Sequence, residues 1–160
     1  MPVAGKRAFY YRIMVGTYRF RSVWLLAAPA RAVFDAVVDL EHYPRWWSDV
    51  RSVRQVDADT AELVCRASLP YRLVLRMHRD VEDSDAGRLR VGLSGDLEGF
   101  LAGSVTRTKN GTHLEITQEV EARKPLLRKL DRVARPVFRA NHALMMRRGL
   151  RGLRSHLAGA

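Results

Sequence analysis

Residues 98–121 read Glu98-Gly-Phe-Leu-Ala-Gly-Ser-Val-Thr-Arg-Thr108, then Lys109-Asn-Gly111, then Thr112-His-Leu-Glu-Ile-Thr-Gln-Glu-Val-Glu121. Two runs with strand-like alternation flank an Asn-Gly pair. That pair predicts a type I′ turn, whose two central residues take positive φ, and a link this short makes the two strands antiparallel. Alternation then sends Leu101, Gly103 and Val105 to one face, and Leu114, Ile116, Gln118 and Val120 likewise. Gly103 leaves space there, and Gln118 sets an amide among apolar neighbours, where it needs a partner.

Working outward, four more strand-like runs lie upstream at about 50–56, 60–69, 72–82 and 88–95, separated by Asp57-Ala-Asp59, Pro70-Tyr71, Asp83-Ser-Asp-Ala-Gly87 and Gly95-Asp96. Short separators make the six runs a meander. Before it, Thr17-Tyr-Arg-Phe-Arg-Ser-Val-Trp-Leu-Leu26 reads as a first strand with Tyr18, Phe20, Ser22 and Trp24 on one face. Pro29 suits a helix start, Val33, Phe34, Val37 and Val38 recur at helical spacing as far as Leu40, and Pro44 separates a second short helix or turn. Downstream, residues 125–157 carry a helical stripe from Leu126 through Val137, Phe138, Leu144, Met145 and Leu153 to Leu157. Pro136 predicts either a kink or a short helix at 125–134 followed by the main one.

A chain of 160 residues, 47% hydrophobic and 28% charged, suits one globular domain, placed at 17–160 behind a basic, aromatic segment at 1–16. The longest uncharged stretch, Ser22 to Ala30, is far short of the ~20 residues that cross a bilayer. Lys6 and Arg7 precede no sustained apolar run, so no secretory signal is read, and the lone Cys65 excludes an intrachain disulfide. A cytoplasmic location is expected. The formal charge of +11 divides into +6 over residues 1–34, −5 over 35–121 and +10 over 122–160. Basic ends suit an anionic partner such as a membrane surface, nucleic acid or a charged substrate, but solubility of the outer helix face and an arginine-biased composition account for them better.

The order of strand, two short helices, six-stranded meander and long C-terminal helix resembles the START-like helix-grip superfamily (SRPBCC), in particular its polyketide cyclase/dehydrase and lipid-transport branch. The resemblance spans about residues 17–157. It is carried by Trp24 to Pro29 leading into Val33-Phe34, by Asp39-Leu-Glu-His-Tyr-Pro-Arg-Trp-Trp47, and by Arg135-Pro-Val-Phe-Arg-Ala-Asn-His142 continuing to Met146-Arg-Arg-Gly149. It implies an α+β helix-grip fold, a curved seven-stranded antiparallel sheet around the C-terminal helix, with a cavity between them for lipids, polyketides or other apolar metabolites.

The candidate ligand-binding residues are Trp24, Phe34, Trp46, Trp47, Leu75, Met77, Leu101, Gly103, Gln118, Phe138, Asn141, His142 and Met145. Asn141 and His142 have two open roles: an imidazole and an amide offered to a ligand, or a structural hydrogen bond from helix to sheet. Trp46 and Trp47 suit an entrance, with at least one in the core, and Met77 and Met145 serve equally as adaptable lining or core filler. Arg54 and Tyr71 are further polar groups to test. The five histidines show no i, i+4 pair and one cysteine cannot build a zinc cluster, so no metal is expected. Without a G-x-G-x-x-G, a P-loop or a G-x-S-x-G elbow, no nucleotide or other cofactor is expected.

Two functions remain. One is binding or carriage of an apolar or amphipathic small molecule, with a peripheral, membrane-associated lipid carrier as a variant. The other is a cofactor-independent aromatase, cyclase or dehydratase, whose catalytic residues the sequence does not single out. Nucleic acid is not the expected partner, since the basic residues form no recognised motif. Neither the ligand nor an oligomeric state follows from the sequence.

Overall fold

The structure, a computed structural model, describes residues 17–66, 72–123 and 131–159. The expected segment at 1–16, Tyr71 and the start of the helical stripe at 125–130 lie outside the described residues.

Seven strands form a single antiparallel sheet: β1 (Thr17–Leu26), β2 (Val50–Gln55), β3 (Thr60–Cys65), β4 (Leu73–Asp83), β5 (Arg88–Gly95), β6 (Leu97–Thr108) and β7 (Gly111–Ala122). Their spatial order is β1-β7-β6-β5-β4-β3-β2. The meander therefore holds from β2 to β7, and β1 closes onto β7 with Phe20 opposite Gln118 and Trp24 opposite Leu114. Because side chains alternate, that register puts Tyr18, Phe20 and Trp24 on the same face as Leu114, Gln118 and Val120. Helix α1 (Ala30–Val38), a 3₁₀ turn (Leu40–His42) and the short helix α2 (Tyr43–Trp46) lead from β1 at one sheet edge to β2 at the other. Helix α3 (Asp131–Ala158) packs its Phe138 and Leu153 into the core.

The β6–β7 hairpin falls where the sequence puts it, with a different turn. Thr108 pairs with Gly111, so Lys109 and Asn110 form the turn, and among the described residues no non-glycine has positive φ. Gly111 instead has φ +150°, and a Cβ there would stand 2.1 Å from the Leu26 carbonyl oxygen of β1. The glycine serves the approach of a third strand rather than a type I′ turn. Beside it Thr112 is buried and donates its hydroxyl to the Ala28 carbonyl (2.6 Å).

Pro136 lies inside α3 without ending it. Proline removes a single intrahelical bond, and its position in the second turn limits what else is disturbed. Two residues of the expected apolar stripe turn away from the core: Val137 is 50% and Leu144 38% exposed. The buried side of α3 runs instead through Phe138, Met145, Gly149 and Leu153, with Met146 and Leu150 packed at its margin.

Two glycines set how closely α3 meets α2. A Cβ on Gly152 would lie 1.6 Å from the Trp46 carbonyl oxygen, and one on Gly149 would lie 2.7 Å from the Trp47 ring and 2.9 Å from that of Trp24. Only a residue without a side chain admits this contact. Trp47 then donates its indole N–H to the Met145 carbonyl (3.0 Å), and Asp49, 3% exposed, takes a 2.8 Å ion pair from Arg148.

Candidate ligand cavity

Between the inner sheet face and α3 lies a cavity of about 310 Å³, a volume in the range of small-molecule sites. Every strand contributes to its wall. Phe20 and Trp24 come from β1, Leu63 and Cys65 from β3, Leu75 and Met77 from β4, Leu89 and Val91 from β5, Leu101 and Gly103 from β6, and Leu114, Ile116, Gln118 and Val120 from β7. Gln55 of β2 lies at the rim. The helical side is Phe138, Asn141, His142, Met145 and Met146, and an aromatic group of Tyr43, Trp46 and Trp47 closes one flank. In that group Trp46 stacks on Trp47 at 5.6 Å and Trp24 meets Trp47 edge-on at 5.8 Å. Both Trp46 and Trp47 touch the cavity, with Trp46 also buried.

The polar groups of the interior converge on one spot. His142 lies 3.1 Å from Gln118 through Nε2 and Oε1, and its ring stacks on Phe20 with centroids 3.6 Å apart. With the amide oxygen as acceptor, Nε2 carries the ring proton and Nδ1 keeps its lone pair. Burial depresses the imidazole to about 4, so it is neutral at pH 7. One turn position away, Asn141 Oδ1 is buried without a hydrogen-bond partner, and its Nδ2 reaches only the Met145 sulfur at 4.0 Å. An enclosed amide oxygen without a donor is costly, and a ligand hydroxyl would satisfy it.

Burial also holds two further groups of the wall in their neutral forms. Burial, with a smaller effect of Asp49, pushes the Cys65 thiol up to about 12, which leaves no thiolate for nucleophilic chemistry. Burial likewise raises the Tyr43 phenol, aided by Asp39, and its hydroxyl donates to the Val37 carbonyl. Asp39, Glu41, Asp59 and Glu82 also line the cavity, and the Arg79 guanidinium pairs with Glu82 at 3.2 Å and Asp59 at 3.9 Å. Among the described residues Arg79 is the one cation at the cavity wall.

The structure brings together twelve of the thirteen candidate residues around this space and leaves out Phe34. Phe34 is 3% exposed in the core. Helical spacing sets Val33 and Phe34 fully inside, while Val37 and Val38, a turn later, reach the cavity. Gly103 lines the wall but opens no room there, because the Leu89 side chain, cross-strand from it, would stand 3.0 Å from an added Cβ. Arg54 is on the outer face, paired with Glu62 at 3.3 Å. Phe20 was legible in the β1 alternation as a face-mate of Trp24; Leu89 and Met146 were not, since each depends on a cross-strand or helix-to-sheet register.

An antiparallel sheet folded over one long helix, with a largely apolar chamber between them, defines a helix-grip domain. Residues 17–158 match the family described as polyketide cyclase/dehydrase and lipid transport, and the chain belongs to that family. Among solved structures it is similar to the Zhui aromatase/cyclase from Streptomyces sp. R1128, with TM-score 0.73 and 14% identity over 89% of this chain and 94% of that one. A START superfamily protein from Mycobacterium smegmatis gives TM-score 0.69 and 15% identity over 89% and 97%. The di-domain aromatase/cyclase BexL from the BE-7585A biosynthetic pathway gives 0.68 and 18%, the chain covering half of it. Identities this low carry the fold alone. No curated protein sequence matches the chain.

Proposed function

We propose that the protein binds an uncharged, largely apolar small molecule, lipid or polyketide-like, and holds a hydroxyl of it at Asn141. The observation that carries this reading is a largely apolar cavity lined by Asn141, whose buried Oδ1 has no hydrogen-bond partner. A carboxylate or phosphate would be poorly received. Arg79, the one cation of the wall among the described residues, is already paired, several carboxylates line the same space, and an unpaired buried charge is far more costly than a buried hydroxyl with an acceptor.

A second reading, cofactor-independent cyclisation or dehydration of a polyketide chain, is favoured by the neutral imidazole of His142 beside the Gln118 amide in the same chamber. Proximity and orientation would do much of the work. A base near 4 accepts a proton weakly at pH 7, where an efficient general base titrates close to the operating pH. That mismatch ranks hydrogen-bonded binding above proton transfer.

Mass spectrometry of the natively purified protein, followed by organic extraction, tests the order. A neutral hydroxylated compound released unchanged supports binding, and conversion of an added polyketone to a dehydrated ring supports catalysis. Failure to take up either kind of compound would sink both readings.

A further inference from the structure

We propose that the outer face of α3 docks the domain on an anionic lipid surface. The two sides of this helix differ sharply. Phe138, Asn141, His142 and Met145 face the cavity, whereas Val137, Ala140 and Leu144 form an exposed row at i, i+3, i+7. The same row continues into exposed Arg147 and Arg151, and exposed Arg139 lies further round the solvent side of the helix. An apolar stretch thus runs into a basic one on a single helical surface.

Several arginines elsewhere are neutralised by carboxylates. On the outer side of the sheet Arg19 meets Glu119, Arg21 meets Glu115, Arg54 and Arg76 share Glu62, and Arg90 meets Asp80. Arg139, Arg147 and Arg151 have no carboxylate partner among the described residues. Residues 122–160 contain a single acid, Asp131, against eleven Lys and Arg, so local neutralisation is not available to them. Solubility alone explains free arginines, but it does not explain Val137 and Leu144 exposed along the same line. A lipid surface uses both, taking apolar side chains into the headgroup boundary and guanidinium groups against phosphates. Nucleic acid would use the charge and waste the apolar row, and the row offers no aromatic ring for stacking.

The docked helix is also the roof of the cavity, so Asn141 and His142 would stand about one helix diameter, ~10 Å, from the lipid. The proposal goes beyond ligand binding and is tested without any ligand.

The full chain is co-sedimented with vesicles of phosphatidylcholine and of phosphatidylcholine mixed with phosphatidylglycerol, at low and high salt. The expected result is binding to the anionic vesicles only, weakened by salt. Arg139→Gln/Arg147→Gln/Arg151→Gln should lower the partition coefficient about a hundredfold, at roughly tenfold or less per guanidinium. Val137→Ser/Leu144→Ser should lower it severalfold, and thermal melting shows that both variants are folded. Equal binding to neutral vesicles, no binding to either, or a triple variant that binds like the wild type would each overturn the proposal; in the last case residues 1–16 would be the anchor. Retention of an oligonucleotide without vesicle binding would reassign the face to nucleic acid and overturn it too.

Discussion

His142 on α3 and Gln118 on β7, both in the cavity wall, are joined by a 3.1 Å hydrogen bond. Twenty-four residues separate them in sequence. The bond ties helix to sheet, and with the amide oxygen as acceptor it engages Nε2 and leaves Nδ1 outside it.

Acid sensitivity follows from that ring. His142 is lowered from 6.5 to about 4 by burial. Below 6.5 the unfolded chain takes up a proton that the folded state does not. Stability from this group is complete above about pH 6.5, falls as the pH drops, and is lost below about 4; fully developed it is on the order of 3 kcal/mol. Denaturant midpoints near pH 7 and near pH 4 should therefore differ less in His142→Gln than in the wild type. Equal acid sensitivity in the two proteins would assign the effect to another group.

Asn141→Leu removes an amide whose oxygen has no protein partner. The empty protein should gain about 1 kcal/mol of stability, read by urea unfolding. Affinity for naphthol should fall about tenfold while that for naphthalene stays put, by fluorescence titration. A parallel loss for both probes would mean that the variant changes cavity shape rather than hydrogen bonding.

Gly152→Ala should be among the most damaging single changes in the chain. Its Cβ would lie 1.6 Å from the Trp46 carbonyl oxygen, a backbone atom that cannot rotate aside. A loss of about 3 kcal/mol or more is expected. Gly159→Ala, where the nearest atom is 3.5 Å from the added Cβ, serves as the control and should melt like the wild type.

The Asp49–Arg148 pair anchors the start of β2 to α3. Asp49 is 3% exposed and its Oδ2 has no hydrogen-bond partner. Arg148→Met would strand that carboxylate and should cost about 3 kcal/mol, whereas adding Asp49→Asn should recover much of the loss. Additive losses in the double variant would show that the two residues do not act as a pair.

Much of the strand layout was legible because it is local. Alternation at Tyr18, Phe20 and Trp24, and the hairpin around Lys109-Asn-Gly111, need only neighbouring residues, so the elements and the inward face of β7 follow from period and turn chemistry. The turn type was misread because Gly111 answers to Leu26, more than eighty residues away. The α3 stripe was read too broadly for a related reason. Hydrophobic spacing marks a helix, but which of two adjacent apolar rows is buried depends on what the sheet presents to it.

The sequence by itself determined the antiparallel meander, the long final helix and the apolar character of their shared interior, since these rest on periodicities of two and 3.6 that any segment carries within itself. Tertiary structure decided the rest. It turned Phe34 into core, filled the space at Gly103 with Leu89, joined His142 to Gln118 and left Asn141 Oδ1 buried without a hydrogen-bond partner. Each outcome depends on the register between elements distant in the chain, where a shift of one residue turns a side chain to the opposite face.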